Sequence, residues 1–140
     1  MDHTTFMREA LAEAVRAAER GDVGVGAVVV LDGAIVARGG NRANTTGDPF
    51  AHAETDAMRQ VPRLDLSAAT LYTSFDPCPM CFGALLVRRV GTVVIGARRP
   101  RGTSTYAGLN AEAMAELAGR TDVVPGPLAA ECLKVRAPAR

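Results

Sequence analysis

The sequence predicts an α/β fold, a three-layer α/β/α sandwich with a central mixed five-stranded sheet. Three observations support this prediction. An amphipathic helix precedes a β-hairpin, helices and strands then alternate, and the strand at residues 90–97 has an all-apolar centre. Alternating elements form a sheet covered by helices, and a strand without a polar side is buried on both faces. At 140 residues, we expect residues 1–140 to form one domain.

The first elements follow from the spacing of apolar residues. Between residues 5 and 20 they recur at three- and four-residue steps, which predicts an amphipathic helix. Residues 23–31 and 34–38 are β-branched runs that flank Asp32-Gly33, a pair typical of a two-residue hairpin turn.

The rest of the chain divides at its polar and proline-containing segments. Residues 43–49 are rich in Asn, Thr and Gly, and we expect an irregular loop there. The other expected elements are helices at 52–60, 78–89, 110–118 and 128–135, and strands at 69–73, 90–97 and 122–124.

Composition excludes several classes of function. No apolar run approaches the roughly 20 residues that cross a bilayer, so we expect no membrane partner. The N-terminus has no basic region before its first apolar stretch, which is unlike a secretory signal, and we expect a cytoplasmic protein. The formal net charge of +1 gives no bulk electrostatic case for nucleic-acid binding.

Two short motifs carry the chemistry. His52 and the pair Cys78 and Cys81 offer one nitrogen and two sulfur ligands, and a catalytic zinc site uses three protein ligands plus one open position. The first turn of a helix brings cysteines at i and i+3 to one side, where both reach the same Zn²⁺. Glu54 is close enough to move protons at that ion. Cys132 stands apart, and we expect a buried bystander thiol.

Each motif has another interpretation when it is considered alone. An isolated His-x-Glu is usually a turn of a surface helix, and Cys-x-x-Cys in an α/β protein is also typical of a dithiol redox pair. Together, with Pro77 before Cys78, they favour a metal site and match the pattern of zinc deaminases. A zinc-stabilised binding module without turnover remains an alternative from another class.

Five segments follow a known family pattern in the same order. They are Met7-Arg8-Glu9-Ala10, Val25-Gly26-Ala27-Val28-Val29-Val30, Gly40-Asn41-Arg42, Asp48-Pro49-Phe50-Ala51-His52-Ala53-Glu54, and Leu71 through Asp76 to Pro77-Cys78-Pro79-Met80-Cys81. On these segments the chain resembles the cytidine deaminase-like superfamily, in the branch that contains bacterial tRNA adenosine deaminases and guanine deaminases.

The resemblance implies roles for individual residues. It implies zinc on His52, Cys78 and Cys81, and Glu54 as the general acid and base. It further implies that Asn41 hydrogen-bonds the substrate and that the backbone amide of Ala53 faces it, although Asn41 on its own is equally typical of a turn. Relatives commonly pair through helices beside the site, so a homodimer is expected.

Departures from the pattern bear on the substrate. Phe50 stands where relatives often have a small threonine, and its ring either contacts the substrate or fills the core. Asp76 replaces a usual glutamate. The chain has Arg98, Arg99 and Arg101 where bacterial guanine deaminases carry an acidic residue, so guanine is not the expected substrate.

Two substrate classes stay open. Segments at 96–98 and 124–132 look closer to tRNA-editing relatives, and the three arginines offer phosphate contacts if they are not simply solvated. The chain is nearly neutral, however, and lacks a basic C-terminal helix. We therefore expect hydrolytic deamination of a small heterocycle, with tRNA adenosine-to-inosine editing as the alternative.

Overall fold

The helices and strands follow the predicted order. In chain order they are α1 (His3–Arg20), β1 (Gly26–Leu31), β2 (Ala34–Gly40), α2 (Ala43–Thr46), α3 (Ala53–Arg59), β3 (Thr70–Phe75), α4 (Pro79–Val87), β4 (Thr92–Ala97), α5 (Ala111–Ala118), β5 (Asp122–Pro125) and α6 (Ala129–Arg136). The computed structural model describes residues 2–99, 106 and 108–136.

The five strands form one mixed sheet in the order β2-β1-β3-β4-β5. Strand β1 is antiparallel to both β2 and β3, whereas β4 lies between β3 and β5 and is parallel to both. Every residue of β1 and of β3 is buried, as expected for central strands that are covered on both faces. The predicted fold class is confirmed.

Two consecutive glycines show that helices cover opposite faces of the sheet. A Cβ on Gly39 would lie 2.5 Å from the backbone nitrogen of Ala57 in α3, whereas a Cβ on Gly40 would lie 3.3 Å from the backbone oxygen of Glu13 in α1. Successive residues of a strand point to opposite faces. Helix α3 therefore covers one face with α4 beside it, and α1 covers the other with α6.

The predicted hairpin has the turn that its sequence indicates. Asp32 and Gly33 both have positive φ angles, 52° and 75°, as a type I′ turn requires. The register between β1 and β2 shifts between Val29 and Val30, an irregularity that the alternating pattern does not reveal.

The expected irregular loop at residues 43–49 is wrong in part. Residues Ala43–Thr46 form the short helix α2, which ends at Gly47 with φ 72°. Buried Asp22 accepts hydrogen bonds from the backbone nitrogen and hydroxyl of Thr45. This long-range contact outweighs the weak helix propensity of the segment. Strand β3 also extends to Phe75, beyond the expected end at residue 73.

Cys132 is fully buried, as expected for a bystander thiol. A Cβ on Gly96 of β4 would lie 2.8 Å from Cys132 Sγ and 3.2 Å from Met7 Sδ. Both α6 and α1 therefore pack closely on β4. None of the helices in the described ranges has the length and apolar character needed to cross a membrane.

Candidate metal centre and cleft

The three expected metal ligands meet beyond the end of β3. His52 immediately precedes α3, and Cys78 immediately precedes α4, whose first residue is Pro79. Proline is favoured there because the first helical N–H has no partner within the helix. Cys81 lies one turn further along α4. The site is thus built from the N-termini of two helices, where unpaired amides favour negatively charged ligands.

The spacing of the ligand atoms fits one tetrahedral metal ion. His52 Nδ1 lies 3.5 Å from Cys78 Sγ and 3.4 Å from Cys81 Sγ. Ligands about 2.0 to 2.3 Å from a common zinc ion lie about 3.5 Å apart at tetrahedral angles. Among the described residues, this is the one group of three or more His, Cys, Asp or Glu side chains arranged to hold a metal.

The pKa values of the two cysteine thiols are shifted in opposite directions. Hydrogen bonds from Cys81 and from His52 lower the pKa of Cys78 to about 4. The hydrogen bond with Cys78, together with burial, raises the pKa of Cys81. Zinc binds cysteine as the thiolate, so binding to both sulfurs favours the deprotonated form of each.

Glu54 is buried beside the ligands without being one of them. Glu54 is 3% exposed, and its Oε2 accepts a 2.9 Å hydrogen bond from the Thr73 hydroxyl. Burial raises the pKa of this carboxyl group. A higher pKa makes the carboxylate a better proton acceptor, which suits the general acid and base of the sequence hypothesis.

A cleft of about 170 Å³ opens above these groups. Its walls come from the segment before β1, the residue after β2, the starts of α3 and α4, the end of β3, the segment after β4, and the end of α6. The lining residues are Val23, Val25, Asn41, His52, Ala53, Glu54, Phe75, Asp76, Cys78, Arg99, Tyr106 and Arg136. Five of the seven expected site residues therefore line it, and Cys81 lies beneath as the third ligand.

Asn41 and Ala53 both line the cleft. The side-chain oxygen of Asn41 accepts a 3.0 Å hydrogen bond from the backbone nitrogen of Ala43. Its amide NH₂ is therefore the group that it can offer to a molecule in the cleft. Ala53 begins α3 and is fully buried. Their contacts with substrate stay predictions.

Phe50 is the expected site residue that stands apart from the cleft. It is 65% exposed, so the expectation of core filling is wrong. Its backbone closes the turn before α3, because Phe50 oxygen accepts from the His52 nitrogen at 2.9 Å. The ring is absent from the cleft lining, and a substrate contact through it stays a prediction.

Asp76 has a definite contact that the sequence left in doubt. Its Oδ2 lies 3.2 Å from Arg98 Nε and accepts a 3.0 Å hydrogen bond from the Arg99 nitrogen. Arg98 also makes a two-pronged ion pair with Glu112, at 2.6 and 2.7 Å. The expectation of solvated arginines is therefore wrong for Arg98, while Arg101 lies outside the described residues.

Sequence reasoning named Arg99 among the arginines that offer phosphate contacts, but it missed Phe75 and Arg136 and the meeting of the three residues in the cleft. The guanidinium carbons of Arg99 and Arg136 lie 5.3 and 4.9 Å from the centroid of the Phe75 ring. These residues come from three separate parts of the chain, and no local pattern joins them. Thr73 was also missed, because β3 contains two other hydroxyl residues, Thr70 and Ser74, and nothing in the sequence distinguishes Thr73 from them.

Comparison with known proteins places this site in a family. Residues 1–97 match the family described as the cytidine and deoxycytidylate deaminase zinc-binding region. That match contains all three metal ligands and Glu54. It favours the metal site over the dithiol redox alternative.

Individual relatives span most of the chain. A tRNA-specific adenosine deaminase of Bacillus subtilis is 39% identical over 131 residues, covering 91% of this chain and 81% of that protein. A guanine deaminase of the same organism is 42% identical over 102 residues, covering 69% and 65%.

Solved structures of related deaminases also match this chain. A structure from a study of A-to-I editing by tRNA:A34 deaminases has a TM-score of 0.80 at 35% identity, covering 94% of this chain and 99% of its own. The guanine deaminase of Bacillus subtilis has a TM-score of 0.67 at 36% identity, covering 83% and 76%.

Proposed function

The chain belongs to the cytidine and deoxycytidylate deaminase zinc-binding family, and on that premise we propose that it hydrolyses an exocyclic amine on a nucleobase, nucleoside or similar N-heterocycle. One observation supports this most directly. The buried Glu54 carboxyl faces the same cleft as the three-ligand group. A binding module has no use for an acidic group held there at the cost of desolvation.

The reaction exchanges the amine for oxygen from water and releases ammonia. His52, Cys78 and Cys81 are proposed to hold the zinc, since their nitrogen and sulfur atoms have the chemistry and spacing that zinc prefers. When bound, zinc supplies Lewis-acid activation of water. The ring is proposed to bind in the cleft above these three residues.

Glu54 is proposed to carry the protons. Its carboxylate takes one from the attacking water and gives it to the ring nitrogen beside the amine-bearing carbon. It then takes the second water proton and gives it to the amine, so the C–N bond breaks with ammonia as the leaving group. Asn41, through its amide NH₂, and the Ala53 amide are proposed to orient the ring.

An ammonia-release screen tests this proposal. Zinc-loaded protein is incubated with aminopurines, pyrimidines, pterins and triazines, beside a Glu54→Gln variant with the same zinc content. We expect release from at least one ring and a fall of about 10²- to 10⁴-fold in the variant. Equal rates in both proteins, or no release from any ring, would contradict the proposal and favour a binding module.

Editing of tRNA adenosine to inosine is the second candidate. It is supported by the similarity to the tRNA-specific adenosine deaminase over 91% of this chain. Incubation with an anticodon stem-loop, followed by detection of inosine, distinguishes it from action on free heterocycles.

We further propose that the protein forms a homodimer. Helix α4, which begins beside the metal ligands, leaves Val87 79% exposed and Met80 36% exposed. Such apolar exposure beside a functional site is typical of a protein interface. Sedimentation velocity across a range of concentrations tests it, and a monomer at all of them would contradict it.

A further inference from the structure

Two guanidinium groups converge on the cleft that holds the metal ligands. Arg99 follows β4 and Arg136 ends α6, and both line the cleft together with Glu54. Both also lie against the same aromatic ring, with guanidinium carbons 5.3 and 4.9 Å from the Phe75 centroid. One ring therefore supports two positive charges at the wall of the reaction site.

These arginines differ from their neighbour Arg98 in what they contact. Arg98 is neutralised by Asp76 and Glu112. Within the described ranges, neither Arg99 nor Arg136 has a carboxylate at ion-pair distance, and the side chains of both are only partly exposed. The cleft thus has positive charge that no described acidic side chain balances.

The two charges also act on each other. Burial lowers the pKa of Arg136, and the nearby charge of Arg99 lowers it further. Like charges held together at a partly buried wall are unfavourable unless an anion lies between or beside them. A bound anion would remove this repulsion and accept hydrogen bonds from the guanidinium N–H groups.

We propose that Arg99 and Arg136 form a subsite for a phosphate group that the heterocyclic substrate carries, a proposal that rests on the proposed function. Arginine presents planar, forked donors that match phosphate oxygens, and two arginines suit a group with two or three such oxygens. The phosphate comes from one of two sources. It is the 5′-phosphate of a mononucleotide or a backbone phosphate next to the reacting nucleotide of an RNA.

The alternative is that the two arginines only hold Phe75 in place. A structural role of that kind predicts that their loss weakens charged and uncharged ligands equally. A phosphate subsite predicts a loss specific to the phosphorylated form. The ratio of the two affinities therefore separates the alternatives.

Calorimetric titration of zinc-loaded Glu54→Gln protein measures that ratio without turnover. The probes are adenosine, guanosine and cytidine, their 5′-monophosphates, and an RNA hairpin with an unpaired adenosine in its loop. For at least one probe that contains phosphate, we expect the added change Arg99→Gln with Arg136→Gln to reduce affinity about tenfold or more. We expect the same double change to reduce the affinity for uncharged nucleosides much less. The Arg99→Lys with Arg136→Lys variant should lose only part of the affinity for the phosphate-containing probe.

A variant with matched charge controls for general electrostatics. Arg8→Gln with Arg16→Gln removes the same charge from the exposed face of α1 and should leave every affinity nearly unchanged. If only the mononucleotides bind more weakly to the Arg99→Gln with Arg136→Gln protein, the subsite binds the 5′-phosphate. If only the hairpin binds more weakly, the subsite binds a backbone phosphate of RNA. The proposal is overturned if the Arg99→Gln with Arg136→Gln change lowers the affinity for no phosphate-containing probe, or lowers the affinity for nucleosides equally. It is also overturned if the control variant loses as much affinity for the phosphate-containing probes.

The outcomes also separate this inference from the proposed function. Ammonia release from uncharged nucleosides by the unaltered protein, without any preference for phosphate, would overturn the subsite alone. Phosphate-dependent binding in a protein that releases no ammonia would instead contradict the deaminase proposal.

Discussion

The Thr73 hydroxyl donates a 2.9 Å hydrogen bond to Oε2 of Glu54, and both residues are buried. The same hydroxyl lies 3.1 Å from the backbone oxygen of Phe75, so its single proton has two possible acceptors. Thr73 belongs to the central strand β3, while Glu54 belongs to α3. The sheet thereby fixes the orientation of the carboxylate that is proposed to carry protons.

Thr73→Val should reduce catalysis without removing the metal. Loss of the hydroxyl leaves the Glu54 carboxylate free to rotate, and a hydrogen bond to a charged group contributes about 1.5 to 3 kcal/mol. We expect kcat to fall about tenfold or more, with little change in KM and none in zinc content. Thr73→Ser keeps the hydroxyl and should retain most of kcat. Equal losses in both variants would contradict this role for Thr73.

Cys81→Ala should abolish stoichiometric zinc binding. The variant leaves two ligands, His52 and Cys78, where a stable zinc site uses at least three from the protein. Metal analysis after dialysis measures the zinc content. Cys132→Ala is the matched control, because this thiol is equally buried but lies outside the ligand group. Retained zinc in Cys81→Ala, or lost zinc in the control, would contradict the assignment.

Gly39→Ala should displace α3 and weaken metal binding. A Cβ at this position would lie 2.5 Å from the Ala57 nitrogen and 2.6 Å from the Ala53 oxygen. Since backbone atoms cannot move aside as a flexible side chain does, the free energy of unfolding should fall by about 1 to 3 kcal/mol. Urea denaturation and zinc titration measure the two effects. A Cβ added at Gly83 meets no heavy atom of the described residues within 4 Å outside its own stretch of helix, so Gly83→Ala should be neutral or stabilising.

Asp22→Asn should destabilise the protein in a pH-dependent way. Burial alone would raise the pKa of Asp22, but hydrogen bonds from Thr45 and Arg20 outweigh it and lower the pKa below its ordinary value of 3.8. The stabilisation by this carboxylate is therefore complete above about pH 4 and is lost as pH falls through the lowered pKa. We expect the free energy of unfolding of the variant to be about 1 kcal/mol lower than that of the unaltered protein at pH 7, with a smaller difference in acid. A difference in the free energy of unfolding that does not change with pH would contradict this stabilising role of the Asp22 carboxylate.

Most of the fold was predictable because its signals are local. The turn at Asp32 and Gly33 and the apolar periodicity of α1 depend on neighbouring residues only. Helix α2 was missed because its stability depends on Asp22, which lies 23 residues before Thr45 in the sequence. A contact of that range leaves no periodic pattern in the segment that it stabilises.

The same distinction explains which parts of the site were predictable. His52 and Glu54 lie in one tripeptide, and Cys78 and Cys81 lie in one helical turn, so spacing alone indicated a shared metal. The Phe75 ring and the arginines around it come from β3, the end of β4 and the end of α6. Their meeting is a product of tertiary packing, which no short motif records.

The reacting centre consists of two short continuous peptides, and this has an evolutionary consequence. Any movement of α3 carries His52 and Glu54 together, so metal position and proton transfer cannot drift apart. The cleft wall, by contrast, draws single side chains such as Val23 and Arg136 from distant elements. Changes there can redirect the enzyme to a new ring while the chemistry stays the same, so an engineer seeking a different substrate should randomise the wall and keep the two peptides intact.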